Sequence, residues 1–190
     1  MEELKYKLVL ASTSPRRQFL MREAGFKFRI EKPESDESFP DHMPVEMVPR
    51  YLAEKKAESF KPKLSEDEIV MTADTVVIID GKILNKPANY DDAVRMLTQL
   101  SGRTHKVLTA VCLMAKDKQE LFQDITKVTF KTLTPGEIDY YIKTCKPFDK
   151  AGSYGAQDWV GMVGIEKING SYFTVMGLPM HKVYKYLMGF

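Results

Sequence analysis

The spacing of apolar and polar positions changes several times along the chain, and each change marks an element. Lys7 to Ala11 is a short apolar run that reads as a buried strand. Arg16 to Ala24 carries apolar residues at helical spacing and predicts a helix, with Ser14 as its cap, Pro15 as its first residue and Gly25 as its stop. Phe26 to Ile30 reads as a second strand, and the polar, proline-bearing EKPESDESFPDHMP as a loop. Val45 to Ser59 predicts a lysine-bearing helix. IVMTADTVVIIDGKIL predicts a long strand that turns at Asp80-Gly81 into a hairpin. Tyr90 to Leu100 predicts a helix closed near Gly102, followed by β-rich runs at Lys106 to Ala115 and Glu120 to Leu133. TPGEIDYYIKT predicts a helix capped by Thr134, with Glu137 completing a capping box. DKAGSYGAQDWVGMVG reads as a glycine-rich loop, GIEKINGSYFTVMGL as a hairpin turning at Asn169-Gly170, and LPMHKVYKYLM as a closing helix. Strands and helices alternate early and hairpins dominate later. That order predicts an α/β protein with a mixed sheet and flanking helices, one domain over 1–190 made of two lobes.

Composition narrows the function classes. The 190 residues suffice for one sizeable core without staples. A net charge of +2 is too small for a duplex-binding surface, so no nucleic-acid partner is expected and any anion site must arise by local clustering. The two cysteines, Cys112 and Cys145, form no paired motif, which fits a reduced, cytoplasmic setting. The start, MEELKYKLVLAS, carries acids and reads as no signal peptide. No window reaches the roughly 20 apolar residues of a membrane span, so no membrane partner is expected.

The first candidate chemistry lies in LASTSPRR. Arg16 and Arg17 fall in the first turn of the predicted helix, where the dipole is already positive and acids are favoured. Two readings fit. Both guanidiniums could point into solvent at a cost of about a few tenths of a kcal/mol. Alternatively, an anion sits at the helix start, met by backbone N–H groups, the Ser12 and Ser14 hydroxyls and both arginines. No G-x-x-x-x-G-K-[ST] or G-x-G-x-x-G run occurs. Asp74 lies among apolar and β-branched residues, and a buried carboxylate must be paired, hydrogen-bonded or on a metal. It is either an acceptor for loop amides or a metal ligand or general base. Lys56 and Lys86, read singly, are surface lysines. Asp36 and Glu37 are solvated loop acids or hard-cation ligands. Gln157, in a glycine-rich loop, offers both donor and acceptor to a base edge. His42, His105 and His181 show no metal-ligand spacing and read as structural or exposed.

Together, LASTSPRR, LAEKKA, ADTVV, GKILNKP, MLTQLSGRTHKVLTAV, DKAGSYGAQ and INGSYFTVMGLP resemble the Maf family of nucleotide pyrophosphatases, in order and over nearly the whole chain. The resemblance implies an inosine-triphosphatase-like mixed α/β architecture with a deep cleft between two lobes. It implies hydrolysis of a nucleoside triphosphate to the monophosphate and pyrophosphate with a divalent cation, Mg²⁺ or Mn²⁺; homodimers are common in the family. The family's substrate-binding roles fall here on Ser12, Arg16, Arg17, Lys56, Thr75, Lys86 and Gln157. The aspartate of the ADT motif, Asp74, takes the general-base role. Glu37 matches an acidic position read, with Asp74, as a metal ligand.

Three of these positions divide the subfamilies. Arg16, Thr75 and Gln157 match the group acting on dTTP and UTP; the group acting on 7-methyl-GTP has tryptophan, glutamine and glutamate there. A neutral glutamine suits the O4 acceptor and N3–H donor of uracil or thymine, whereas a glutamate suits a methylated guanine. The alternatives are therefore 7-methyl-GTP hydrolysis, or nucleotide binding without turnover by a regulator of septum formation.

Overall fold

The computed structural model describes residues 4–190; the first three, which open the acid-bearing start, lie outside the described residues. In chain order the elements are β1 (Lys7–Ala11), α1 (Pro15–Glu23), β2 (Phe28–Glu31), α2 (Val48–Glu58, after one 3₁₀ turn), β3 (Glu68–Ile79), β4 (Lys82–Leu84) and α3 (Tyr90–Leu100). They continue with β5 (Thr104–Met114), β6 (Gln119–Phe130), α4 (Pro135–Cys145), α5 (Trp159–Gly164), β7 (Ile165–Asn169), α6 (Tyr172–Met176) and α7 (Met180–Met188).

Among the described residues seven strands form one sheet in the order β2-β1-β3-β5-β6-β7, with β4 paired to β3. β1 runs parallel to both neighbours, with Leu8 opposite Phe28 on one side and Ile69 on the other. Parallel neighbours need crossover connections, and α1 and α2 supply them. Val9 and Leu10 are completely buried, which is why β1 reads as an unbroken apolar run. The β3–β4 and β6–β7 pairs are antiparallel, so the sheet is mixed, as expected.

The chain divides into two compact units. The first takes the chain up to Asp74, Thr109–Asp124 and Gly177–Phe190; the second takes Thr75–Leu108 and Ile125–Met176. In the first, Ala53 and Ala57 of α2 pack on Val9, Val70 and Cys112. Alanine at both contacts brings the helix axis close to the strands. In the second, α3 and α4 bury Leu97, Leu100, Tyr141 and Ile142 with Val77, Ile79 and Phe130. His105 Nε2 lies 2.6 Å from the Tyr154 hydroxyl, and burial pushes its pKa down to about 4. It is neutral at neutral pH and belongs to the core.

Two stretches depart from expectation. The second half of DKAGSYGAQDWVGMVG is the short helix α5, not a loop. Its glycines and valines are poor helix formers, but Val160 is buried in the core and Gly161 is required by packing. A Cβ at Gly161 would stand 2.0 Å from the Ala156 carbonyl oxygen. The expected hairpin at Asn169-Gly170 has one strand only, β7, and the chain continues as α6. Tyr172 to Met176 has strand-like composition; burial of Thr174 and Met176 in a helical turn overrides it. The second strand also starts later, at Phe28 rather than Phe26. Among the described residues no helix is long and apolar enough to cross a membrane.

Candidate functional site

The first unit's site is built from the end of β1 upward. Ser12 is buried just past β1. Its hydroxyl accepts from the Ser14 amide at 3.2 Å, and its carbonyl accepts from Gln18 Nε2 at 3.2 Å. Ser14 has the extended backbone of an N-cap, but its side chain makes no cap bond, and no acid stands in the first turn of α1. The helix start thus keeps its positive end without a carboxylate or hydroxyl cap, with Arg16 and Arg17 half-buried within it.

Arg17 reaches away from its own helix. Its Nε donates to the Gly177 carbonyl at 2.9 Å and its Nη1 to the Ala73 carbonyl at 2.8 Å. It therefore braces β3 one residue before Asp74. Burial lowers the proton affinity of this guanidinium, while the Asp74 carboxylate works in the opposite sense.

Asp74 and Thr72 share one face of β3, because strand side chains alternate. The Thr72 hydroxyl donates to the Ala53 carbonyl at 2.6 Å, which fastens α2 to β3. One turn further along α2, Lys56 Nζ donates to Asp74 Oδ1 at 2.7 Å and to Glu37 Oε1 at 3.2 Å. Lys56 is only 7% exposed, so the reading of it as a surface lysine is corrected. The signal was its register: Leu52, Ala53, Lys56 and Ala57 form one buried stripe.

Two carboxylates thus share one buried ammonium. Burial raises the pKa of Asp74, Lys56 and Arg17 pull it back, and Glu37 adds to the rise. A carboxylate with raised proton affinity is a better base than an exposed one. Glu37 lies on the loop between β2 and α2 and stays largely exposed. Lys55, the neighbour of Lys56, holds the residues on either side of it: its Nζ contacts the Asp36 carboxylate and donates to the Ser38 carbonyl at 3.0 Å. Neither Lys55 nor Thr72 was singled out from the sequence. Among the described residues no group of three or more His, Cys, Asp or Glu could hold a metal ion. Two hard oxygen donors that already flank one cation do suit Mg²⁺ or Mn²⁺, which complete their shells with water and substrate oxygens.

The second unit carries the remaining candidates. Thr75 is half-buried and, next in β3 after Asp74, faces the opposite side of the strand. Lys86 is exposed just past β4, as its sequence reading had it. The carbonyl of its neighbour Asn85 accepts from the Gly152 amide at 3.1 Å, which ties this segment to the DKAGSYGAQ stretch. Gln157 is half-buried, and its Oε1 is buried with no hydrogen-bond partner among the described residues.

The profile described as "Maf-like protein" matches residues 7–190. A protein of Phocaeicola vulgatus named "dTTP/UTP pyrophosphatase" is 48% identical over 181 residues, covering 95% of this chain and 94% of its own. Proteins of Bacteroides fragilis and Flavobacterium psychrophilum with the same name are each 46% identical, over 96% of this chain and 95% and 93% of their own lengths.

Proposed function

The chain belongs to the Maf-like protein family, and from that premise we propose that it is a nucleoside triphosphate pyrophosphatase acting on dTTP and UTP. The observation that carries the chemistry is the Lys56 ammonium shared between buried Asp74 and loop-borne Glu37, beside the uncapped start of α1. A triphosphate brings about four negative charges at neutral pH, and Arg16, Arg17 and Lys56 offer the counter-charge within the first unit. Arg17 adds its charge while holding Ala73 in place. Asp74 takes a proton from water as its oxygen bonds to the α-phosphorus. The bond from that phosphorus to the bridging oxygen breaks, and pyrophosphate leaves with the bond's electrons. A divalent cation, Mg²⁺ or Mn²⁺, held by Asp74 and Glu37 would supply positive charge against the polyphosphate oxygens.

Lys86, Thr75 and Gln157 take their roles from the family resemblance: phosphate charge for Lys86 and base selection for the other two. The unpartnered Oε1 supports the role of Gln157. A buried acceptor left unpaired costs about 1–3 kcal/mol. The N3–H of uracil or thymine would satisfy it, whereas cytosine presents a second acceptor at N3. A homodimer and a cytoplasmic location belong to the same reading and rest on that resemblance and on the cysteine usage.

Product analysis tests the proposal. Purified protein with Mg²⁺ or Mn²⁺ meets dTTP, UTP, CTP, GTP and 7-methyl-GTP, alongside Asp74→Ala. The expected outcome is monophosphate and pyrophosphate from dTTP and UTP, with turnover down by about 10²–10⁴-fold in the folded variant. Turnover of 7-methyl-GTP in preference would overturn the assignment of Arg16, Thr75 and Gln157. Normal turnover by folded Asp74→Ala would remove Asp74 as the base.

A further inference from the structure

The Gln157 carboxamide can present either its oxygen or its nitrogen to a base, and the two orientations have nearly the same shape. Only one of them reads uracil against cytosine. The surrounding residues favour that one. The Tyr141 hydroxyl, on the core face of α4, accepts from the Gly155 amide at 3.1 Å and donates to Asp158 Oδ2 at 2.8 Å. The Asp158 amide in turn donates to the Gly155 carbonyl at 3.0 Å, closing a tight turn around Ala156 and Gln157. Gly155 has no side chain, and both neighbouring groups use that space. A Cβ there would lie 2.7 Å from Asp158 Oδ2 and 2.8 Å from Gln157 Nε2. The carboxylate and the amide nitrogen therefore share one bare glycine face.

We propose that Tyr141 and Asp158 are positioning residues for Gln157: the Asp158 carboxylate draws the N–H end of the carboxamide and leaves Oε1 as the acceptor, while Tyr141 holds that carboxylate in place. An anion attracts amide hydrogens and repels an amide oxygen, so Asp158 selects one of the two orientations. Tyr141 is completely buried and therefore cannot follow a moving loop. Lys150 Nζ, 3.7 Å from Asp158 Oδ2, steadies the carboxylate from another side. This inference rests on the proposed base-reading role of Gln157.

The test is the ratio of kcat/KM for UTP to that for CTP, measured in Tyr141→Phe, Asp158→Asn and Gln157→Ala. In Asp158→Asn the anion is gone and either end of Gln157 is accepted. The ratio is expected to fall about tenfold in both bracket variants, mainly through a higher KM for UTP. Tyr141→Phe leaves the buried Gly155 amide without its acceptor; if that variant fails to fold, Asp158→Asn, which keeps an oxygen acceptor for the Tyr141 hydroxyl, carries the test. Thermal melts run in parallel. A purely structural pair would lower the melting point and reduce turnover of UTP and CTP together, leaving the ratio unchanged, and that result overturns the inference. If Gln157→Ala shifts the ratio while the bracket variants do not, the bracket alone fails. If Gln157→Ala leaves the ratio intact, the base-reading role fails and takes this inference with it.

Discussion

Asp74 binds its proton more tightly than an exposed carboxylate because burial outweighs the attraction of Lys56 and Arg17. As the proposed base, Asp74 acts in its ionised form, so activity is expected to fall as pH drops through the raised pKa. The acid limb of kcat/KM for UTP is expected above the ordinary carboxyl value of 3.8. Lys56 lowers the pKa of Asp74, so Lys56→Met should move the limb further up as well as weaken turnover. A limb that stays put in Lys56→Met would show that the two side chains do not share charge during turnover. At this scale the sequence was partly legible. Asp74 stood out because a carboxylate amid β-branched residues needs a partner. Lys56 did not, since a lysine among lysines says nothing until its place on the helical stripe is counted. The bracing role of Arg17 was not legible. Its acceptors are main-chain carbonyls 56 and 160 positions away, and no residue type marks a carbonyl.

Two helices show how an element's end can be closed or kept open. In α4 the Thr134 hydroxyl accepts from the Glu137 amide at 3.2 Å, and Glu137 Oε2 accepts from the Thr134 amide at 2.8 Å. Both halves of the capping box form, as the T-P-G-E run predicted. In α1 Ser14 occupies the cap position without making the bond. Thr134→Ala should therefore cost about 1 kcal/mol and Ser14→Ala only about a few tenths, read from urea midpoints at constant slope. Equal losses would mean that Ser14 caps α1 in solution. The contrast has a functional meaning: a self-capped helix start has already satisfied the amides an anion would use. Element type was legible wherever periodicity ran for nine residues or more. It failed at α5 and α6, five- and six-residue turns whose composition favours strand or loop. Short helices take their stability from packing, and packing partners are not written in local sequence.

The whole molecule is nearly neutral, with a net charge of +2, so long-range attraction does not explain how it would hold a polyphosphate. The charge is concentrated by the fold. Sequence order hid this, because the pair Arg16 and Arg17, then Glu37, Lys56 and Asp74, lie on separate stretches of chain, and β1 acquires its two parallel neighbours only through crossovers. Arg16 and Arg17 lie in the first turn of α1, Arg17 bonds the carbonyl one residue before Asp74, Lys56 pairs with Asp74 and Glu37, and the start of α1 adds its dipole. A bound triphosphate with its divalent cation should therefore stabilise the folded chain strongly. At a hundredfold excess over Kd the linkage amounts to about 2.7 kcal/mol. For a chain of this size that corresponds to roughly 5–10 °C in Tm. The α,β-methylene analogue of UTP, which cannot be cleaved at the reacting bond, makes the measurement possible at equilibrium. With Mg²⁺ or Mn²⁺ the full shift is expected; with the analogue and a chelator it should be clearly smaller. Glu37→Gln should shrink the part of the shift that depends on the cation; because Glu37 also pairs with the buried Lys56 ammonium, the part that does not depend on the cation should hold or grow as that ammonium is freed for the phosphates. A shift independent of the divalent cation in the wild-type chain would detach Asp74 and Glu37 from metal binding and leave the arginines and Lys56 to hold the triphosphate alone.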